Sequence, residues 1–302
     1  MKSYKLPRDI LFYGLDTHIV NRIINKVDFS NWKKCSPDLA SLVESNSALK
    51  GIHKGERCFI LANGPSIKGV DLSRIKDEIL FGMNLCCESF YKLGINLNYY
   101  LALDSVFFQG YLEDRMDMIR NLKYLEKMRG VKGFVPIECR DFIRGYRFDQ
   151  NVDIHYLGPV RLSMEKLITK EDNACDIARF RYLSYSITID AVMMAIYMGM
   201  KEIYLLGCDA SVIKSRIDVF MGNAPENVHF YDGDEKNFEA HKRKRGIVTE
   251  LRTEYNCFNN WNYINLYCMK HGIKLVNLSS TTLLDFIPRR TYDEQLRILG
   301  IQ

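Results

Sequence analysis

No Cys-x-x-Cys pair occurs among the nine cysteines, Cys35, Cys58, Cys86, Cys87, Cys139, Cys175, Cys208, Cys257 and Cys268, which argues against a zinc knuckle or a dithiol redox motif. Their odd number and mostly apolar settings read as reduced core thiols of a cytoplasmic protein. No apolar run approaches the roughly 20 residues of a membrane-spanning helix. The basic start Met1-Lys2-Ser3-Tyr4-Lys5 is not followed by the apolar stretch of a secretory leader. Membrane contact is therefore expected only peripherally, at the inner face of the cytoplasmic membrane. There is no Gly-x-x-x-x-Gly-Lys-Ser/Thr, which weighs against a P-loop phosphotransferase, and no Gly-x-Gly-x-x-Gly, which weighs against a dinucleotide cofactor. Charge of one sign is scarce too. With 42 Lys and Arg against 37 Asp and Glu, the net charge is only +5. That bias suits an anionic ligand or a membrane surface, and no nucleic-acid partner is expected from it. Internal repeats, coiled-coil heptads and low-complexity tracts are also lacking.

What is present is an ordinary globular composition, 47% hydrophobic and 26% charged over 302 residues. Residues 1–50 are polar, with Ile19, Val20, Ile23 and Ile24 at amphipathic helical spacing. They read as a helical extension packed on the main domain, or as a contact surface for membrane or a second copy of the chain. Residues 51–302 read as one α/β domain. Short apolar runs bounded by turn residues predict buried strands at 58–62, 79–83, 99–103, 133–137, 153–157, 201–207 and 274–278. Between them, 189–198 is apolar on nearly every side, as in a buried helix. Residues 208 to about 252 are rich in Asn, Asp, Gly and charge and read as a lid-like insertion, and a helix is predicted from about Thr253 to His271. Strands alternating with helices imply a Rossmann-like, mostly parallel sheet with helices on both faces. Ligands of such sheets bind beyond the carboxyl ends of the strands.

The residues just past the predicted strands therefore matter most. Asn63-Gly64-Pro65-Ser66 follows the first. Gly64 permits a sharp turn, Pro65 fixes φ and lacks an N–H, and Ser66 suits a cap. The amides of such a turn can hold phosphate, and the alternative is a plain strand-to-helix turn. Asn84 follows the second strand and Asp104 the third, either aimed at a ligand or closing an Asx turn. Asp209 follows Gly207 after the clearest strand. Ser184-Tyr185-Ser186-Ile187-Thr188 precedes the apolar helix, where the hydroxyls of Ser186 and Thr188 cap it or meet an anion. His229, in Asn227-Val228-His229-Phe230-Tyr231, is the candidate general base near neutral pH. The run His241-Lys242-Arg243-Lys244-Arg245 is a solvated face or a contact for anionic lipid or acceptor. Asp232-Gly233-Asp234 has the Asp-x-Asp pattern of metal-dependent glycosyltransferases but sits in a polar loop, and no bound metal is expected.

Taken in order, Phe59 to Ser66, Met83-Asn84, Gly199 to Asp209 and His229-Phe230-Tyr231 resemble the motifs of two related groups. One is the bacterial sialyltransferases of glycosyltransferase family 42. The other is a set of surface-polysaccharide proteins, often labelled similar to archaeal 6-hydroxymethylpterin diphosphokinase, with motility accessory factors nearby. Lys270 to Asn277 and Pro288-Arg289 fit the second group better. The resemblance spans roughly residues 57 to 295. It implies inverting, metal-independent transfer from a CMP-sugar, such as a sialic acid-like nonulosonate, to a cell-surface glycan, with no cofactor beyond the donor. It also implies that Asn63, Gly64 and Ser66 touch nucleotide phosphate and ribose, that Asn84 holds the cytidine, that Ser186 or Thr188 meets the donor, and that His229 deprotonates the acceptor. Two positions depart from the pattern. Ala210-Ser211 stand where the sialyltransferases carry tyrosines for the leaving phosphate, leaving Tyr231 as a substitute, and Asp104 stands where they usually carry an amide. The rivals are an ATP- and magnesium-dependent diphosphokinase, with Asp104, Asp209, Asp232 and Asp234 as metal ligands, and a catalytically silent nucleotide-binding partner in polysaccharide assembly.

Overall fold

The computed structural model describes residues 29–110, 112–164, 175–223, 230 and 246–301. Its centre is a seven-stranded sheet built from β1 (Arg57–Leu61), β2 (Ile79–Met83), β3 (Tyr99–Leu101), β4 (Lys132–Pro136), β5 (Asp153–Leu157), β8 (Glu202–Leu206) and β9 (Lys274–Asn277). The remaining two strands, β6 (Val160–Ser163) and β7 (Arg181–Leu183), pair with each other in a small separate ladder. The strand order is β5-β4-β3-β2-β1-β8-β9, and every pairing is parallel. The predicted strands are all present, each within a few residues of its expected bounds.

Side-chain alternation explains why the sheet is covered on both sides. Cys58 and Ile60 enter one core and Phe59 and Leu61 the other, so each strand feeds two apolar layers. The first layer is closed mainly by two helices, for which we use α2 (Ile187–Tyr197) and α4 (Ile247–Lys270), with Trp261 and Ile264 fully inside. The second is closed by α1 (Leu112–Leu125) and the short helix Cys87–Lys92. α2 is buried almost all round, as its composition predicts, because it lies flat on the sheet.

Two expectations need adjustment. The predicted insertion is not loop throughout: Val212–Phe220 forms a helix, α3. The helix expected from Thr253 begins instead at Ile247, after Gly246 in extended conformation. Hydrophobic spacing missed its first turns because Ile247, Val248 and Leu251 are exposed there. Residues 29–50 pack on the edge of the sheet near β5: Ala40 and Val43 are buried, and the Asn46 amide donates to the carbonyls of Tyr156 and Ile177. All nine cysteines are free and seven are buried. No helix of the described residues is long and apolar enough to cross a membrane.

Candidate functional site

The chain winds outward from β1 in both directions, to β2 on one side and β8 on the other, so the sheet switches topology there. At that point the carboxyl ends of β1, β2 and β8 open on a cavity of about 520 Å³. Asn63, Gly64, Asn84, Asp104, Ser186, Thr188, Gly207 and Asp209 all line it. Residues up to 146 positions apart in sequence are thus brought to one crevice by the strand order. Pro65 and Ser66 are not among the residues that line it. His229, Tyr231, Asp232 and Asp234 fall outside the described residues. Phe230 is described: its amide donates to the Asn63 carbonyl at 2.8 Å, and its ring stacks on Phe90 with centroids 5.1 Å apart.

The turn after β1 is welded to the end of β8. The Gly64 amide donates to the Gly207 carbonyl at 2.8 Å. A Cβ on Gly64 would stand 2.4 Å from that same oxygen, so only glycine permits the approach. Asp209 accepts from the Ser66 amide at 2.8 Å and from the Ser66 hydroxyl. Burial raises the Asp209 carboxyl above its ordinary range, and the two bonds from Ser66 oppose that rise. The β8 end is held in turn by the end of β9 and the loop after it, where Asn277 and Thr282 donate to the Cys208 carbonyl. The turn's amides are thus engaged within the protein: Gly64 is bonded to Gly207, Pro65 has no N–H, and Ser66 faces a carboxylate.

The adjacent strand ends carry a different chemistry. Asn63 is 7% exposed, and its amide nitrogen donates to the Met83 carbonyl at 3.3 Å. That bond fixes the amide's orientation and leaves Oδ1 buried without a partner. Asn84 sits at φ 52°, its own carbonyl held by the Tyr100 hydroxyl at 2.6 Å and the Asn121 amide at 2.9 Å. Its side-chain Oδ1 is also buried without a partner. Asn84 therefore forms no Asx turn, whereas Asp104 does, accepting from the Val106 amide at 3.0 Å. Buried polar atoms in native proteins nearly always find partners, and here two residues that line one cavity, Asn63 and Asn84, each bury an oxygen without one. Backbone strain gathers here as well: Asn84, Tyr185 and Ala210 have positive φ, and all three line the cavity.

The start of α2 also faces the cavity. Ser186 is extended at φ −151°, its hydroxyl makes no capping bond, and Ser186, Ile187 and Thr188 line the cavity. The positive end of an 11-residue helix thus meets the crevice, a setting suited to phosphate. Below it, Asp190 is buried and accepts from the Ser184 hydroxyl at 2.7 Å. Burial pushes its carboxyl up to about 6, against the pull of Arg181 and Ser184.

The sequence reading missed a third component. Arg216 on α3 pairs with Glu250 and, at 2.9 Å, with Glu254 on the next turn of α4, and all three line the cavity. The glutamates are 8% and 7% exposed. Burial raises the Glu254 carboxyl, and Arg216 opposes the rise. The signal available was the i, i+4 glutamate pair, which a helix begun at Thr253 splits. Among the described residues no group of three or more His, Cys, Asp or Glu is placed to hold a metal ion.

No family model matches the chain, and no curated protein matches it. Among solved structures it is similar to the sialyltransferase CstII from Campylobacter jejuni in complex with cytidine-5'-monophosphate, at 18% identity over 78% of this chain and 85% of that one, with a TM-score of 0.41. It is also similar to the MAf glycosyltransferase from Magnetospirillum magneticum AMB-1, at 12% identity and a TM-score of 0.47, covering 87% of this chain and 41% of that one.

Proposed function

We propose that this chain transfers a sugar from a CMP-linked donor to a hydroxyl of a cell-surface glycan, with inversion and without a divalent metal. The observation that carries the reading is that Asn63 and Asn84, each with an unpartnered side-chain oxygen, line the same cavity as the start of α2, where the Ser186 hydroxyl makes no capping bond. A nucleoside brings donors, in its ribose hydroxyls and base amine, to the asparagines. Its phosphate goes to the helix end at Ile187. Charge favours a single phosphate. Five carboxylates, Asp104, Asp114, Asp209, Glu250 and Glu254, line the cavity against one guanidinium among the described residues. A diphosphate would double the anion to be accommodated there. The acid character of the sugar rests on the motif resemblance alone.

In the proposed reaction the acceptor oxygen bonds to the anomeric carbon from the face opposite the phosphate. The bond from that carbon to the phosphate oxygen breaks, its electron pair leaves with CMP, and the acceptor proton passes to His229. The transition state resembles an oxocarbenium ion, so water must be excluded or the donor hydrolyses. His229 neighbours Phe230 in the chain, and the bond from Phe230 to the Asn63 carbonyl supports its role beside the nucleotide.

The test is a thermal-shift screen across CMP, UDP, GDP, ADP and ATP, with and without magnesium. CMP is expected to stabilise the protein without metal, by about 2.7 kcal/mol at a hundredfold excess over Kd. His229→Ala is expected to lose transfer by about 10²–10⁴-fold while the CMP shift survives. Stabilisation by ATP with magnesium alone would instead select the diphosphokinase rival, whose proposed ligand Asp209 is already bonded to Ser66. Donor binding without turnover would select the silent-partner reading.

A further inference from the structure

We infer that Arg216 takes up the negative charge that develops on the departing phosphate, an assignment that rests on the glycosyl-transfer reading above. Breaking the bond from the anomeric carbon leaves the electron pair on a phosphate oxygen, and the group that meets it must already be in place. Among the described residues lining the cavity, Arg216 is the sole cation.

The geometry prepares it for that task. Glu250 and Glu254 lie one turn apart on α4 and engage different edges of the guanidinium, Glu250 at Nη1 and Glu254 at Nε. Two carboxylates beside one guanidinium restrict its positions before an anion arrives. Exposure runs in the matching direction. The Arg216 side chain is 28% exposed, while those of its glutamates are 10% and 9%. The guanidinium is therefore more exposed than either carboxylate that it pairs with. The α2 start shares the cavity, so a helix end and a guanidinium can divide the phosphate oxygens between them.

A tether joining α3 to α4 would use the same ion pairs, so the experiment must separate the two roles. Release of CMP from CMP-N-acetylneuraminic acid is measured for the wild type, Arg216→Ala and Arg216→Lys, with melting temperatures alongside. Arg216→Ala is expected to lower kcat about 10²–10³-fold, with the donor KM changed less than about threefold, the pattern of an interaction made in the transition state. Millimolar guanidinium ion is expected to restore part of kcat without moving the melting temperature. Arg216→Lys, which keeps the charge and loses the fork, should fall between. A raised KM with unchanged kcat would overturn the assignment, placing Arg216 on a ground-state anion. Loss of kcat that follows loss of melting temperature and does not respond to guanidinium would overturn it in favour of the tether. A wild type that releases no CMP overturns the glycosyl-transfer reading and this assignment with it, whereas an active wild type with an unimpaired alanine variant overturns this assignment alone.

Discussion

Adding one methyl group at Gly64 should unfasten the site. Gly64 has φ −65°, so alanine suffers no backbone strain there and the effect is one of space. The new Cβ would lie 2.4 Å from the Gly207 carbonyl oxygen and 2.7 Å from Cγ of Asp209. An ordinary contact is about 3.5 Å, so the β8 end must retreat by roughly 1 Å. That movement lengthens the 2.8 Å bond from the Gly64 amide to Gly207 beyond hydrogen-bonding range. Overpacking costs about 1–3 kcal/mol and the lost bond about 1 kcal/mol, for a total near 3 kcal/mol. A chain of 302 residues unfolds with roughly 0.6 kcal/mol/K of entropy, which converts the loss to a fall of about 5 °C in Tm. Nucleotide binding should weaken with it, since the same retreat pulls Asp209 from Ser66. Differential scanning fluorimetry with and without CMP measures both. Gly145→Ala is the control: a Cβ there meets nothing within 4 Å, and the residue ends a helix, so Tm should hold or rise slightly. A Gly64→Ala protein that melts with the wild type and binds CMP equally would refute the contact between the ends of β1 and β8.

Asp190 makes stability depend on pH in a stated direction. Its carboxyl titrates near 6 in the folded protein against an ordinary 3.8, so the folded state holds the proton more tightly. Stability is then highest below the unfolded value and declines as pH rises through about 6. Asp190→Asn should change little at acid pH and stabilise at pH 8 by up to about 3 kcal/mol, read as the shift in urea midpoint; an equal effect at both pH values would count against the burial argument. Ser186→Ala gives a contrasting test. An N-cap serine normally contributes about 1 kcal/mol, yet the Ser186 hydroxyl makes no capping bond. Calorimetry should find the ligand-free melting temperature unchanged and the CMP affinity reduced, whereas a destabilised ligand-free protein would mean that the hydroxyl caps the helix after all.

Local pattern was enough to reveal the elements. The run Cys58 to Ala62 stopped by Gly64-Pro65, and the apolar stretch of α2 ended by Gly199, announce themselves through short-range periodicity and turn chemistry, which depend only on neighbours in the chain. The same logic placed Asn63, Asn84, Asp104 and Asp209 at strand ends, and a parallel sheet carries its strand ends to one side. What local pattern cannot contain is pairing between distant segments. Only the order β2-β1-β8 sets Ser66 against Asp209, 143 residues away, and so uses up the amides that seemed free for phosphate. The start of α2 reaches the same cavity, and there the Ser186 hydroxyl makes no capping bond. Arg216 likewise becomes a site residue only when α3 packs against α4 and two glutamates close around it. Hydrogen bonds and ion pairs are satisfied by whichever partner the fold brings near, so the sequence determined which groups were available, and the tertiary structure decided which were already spent.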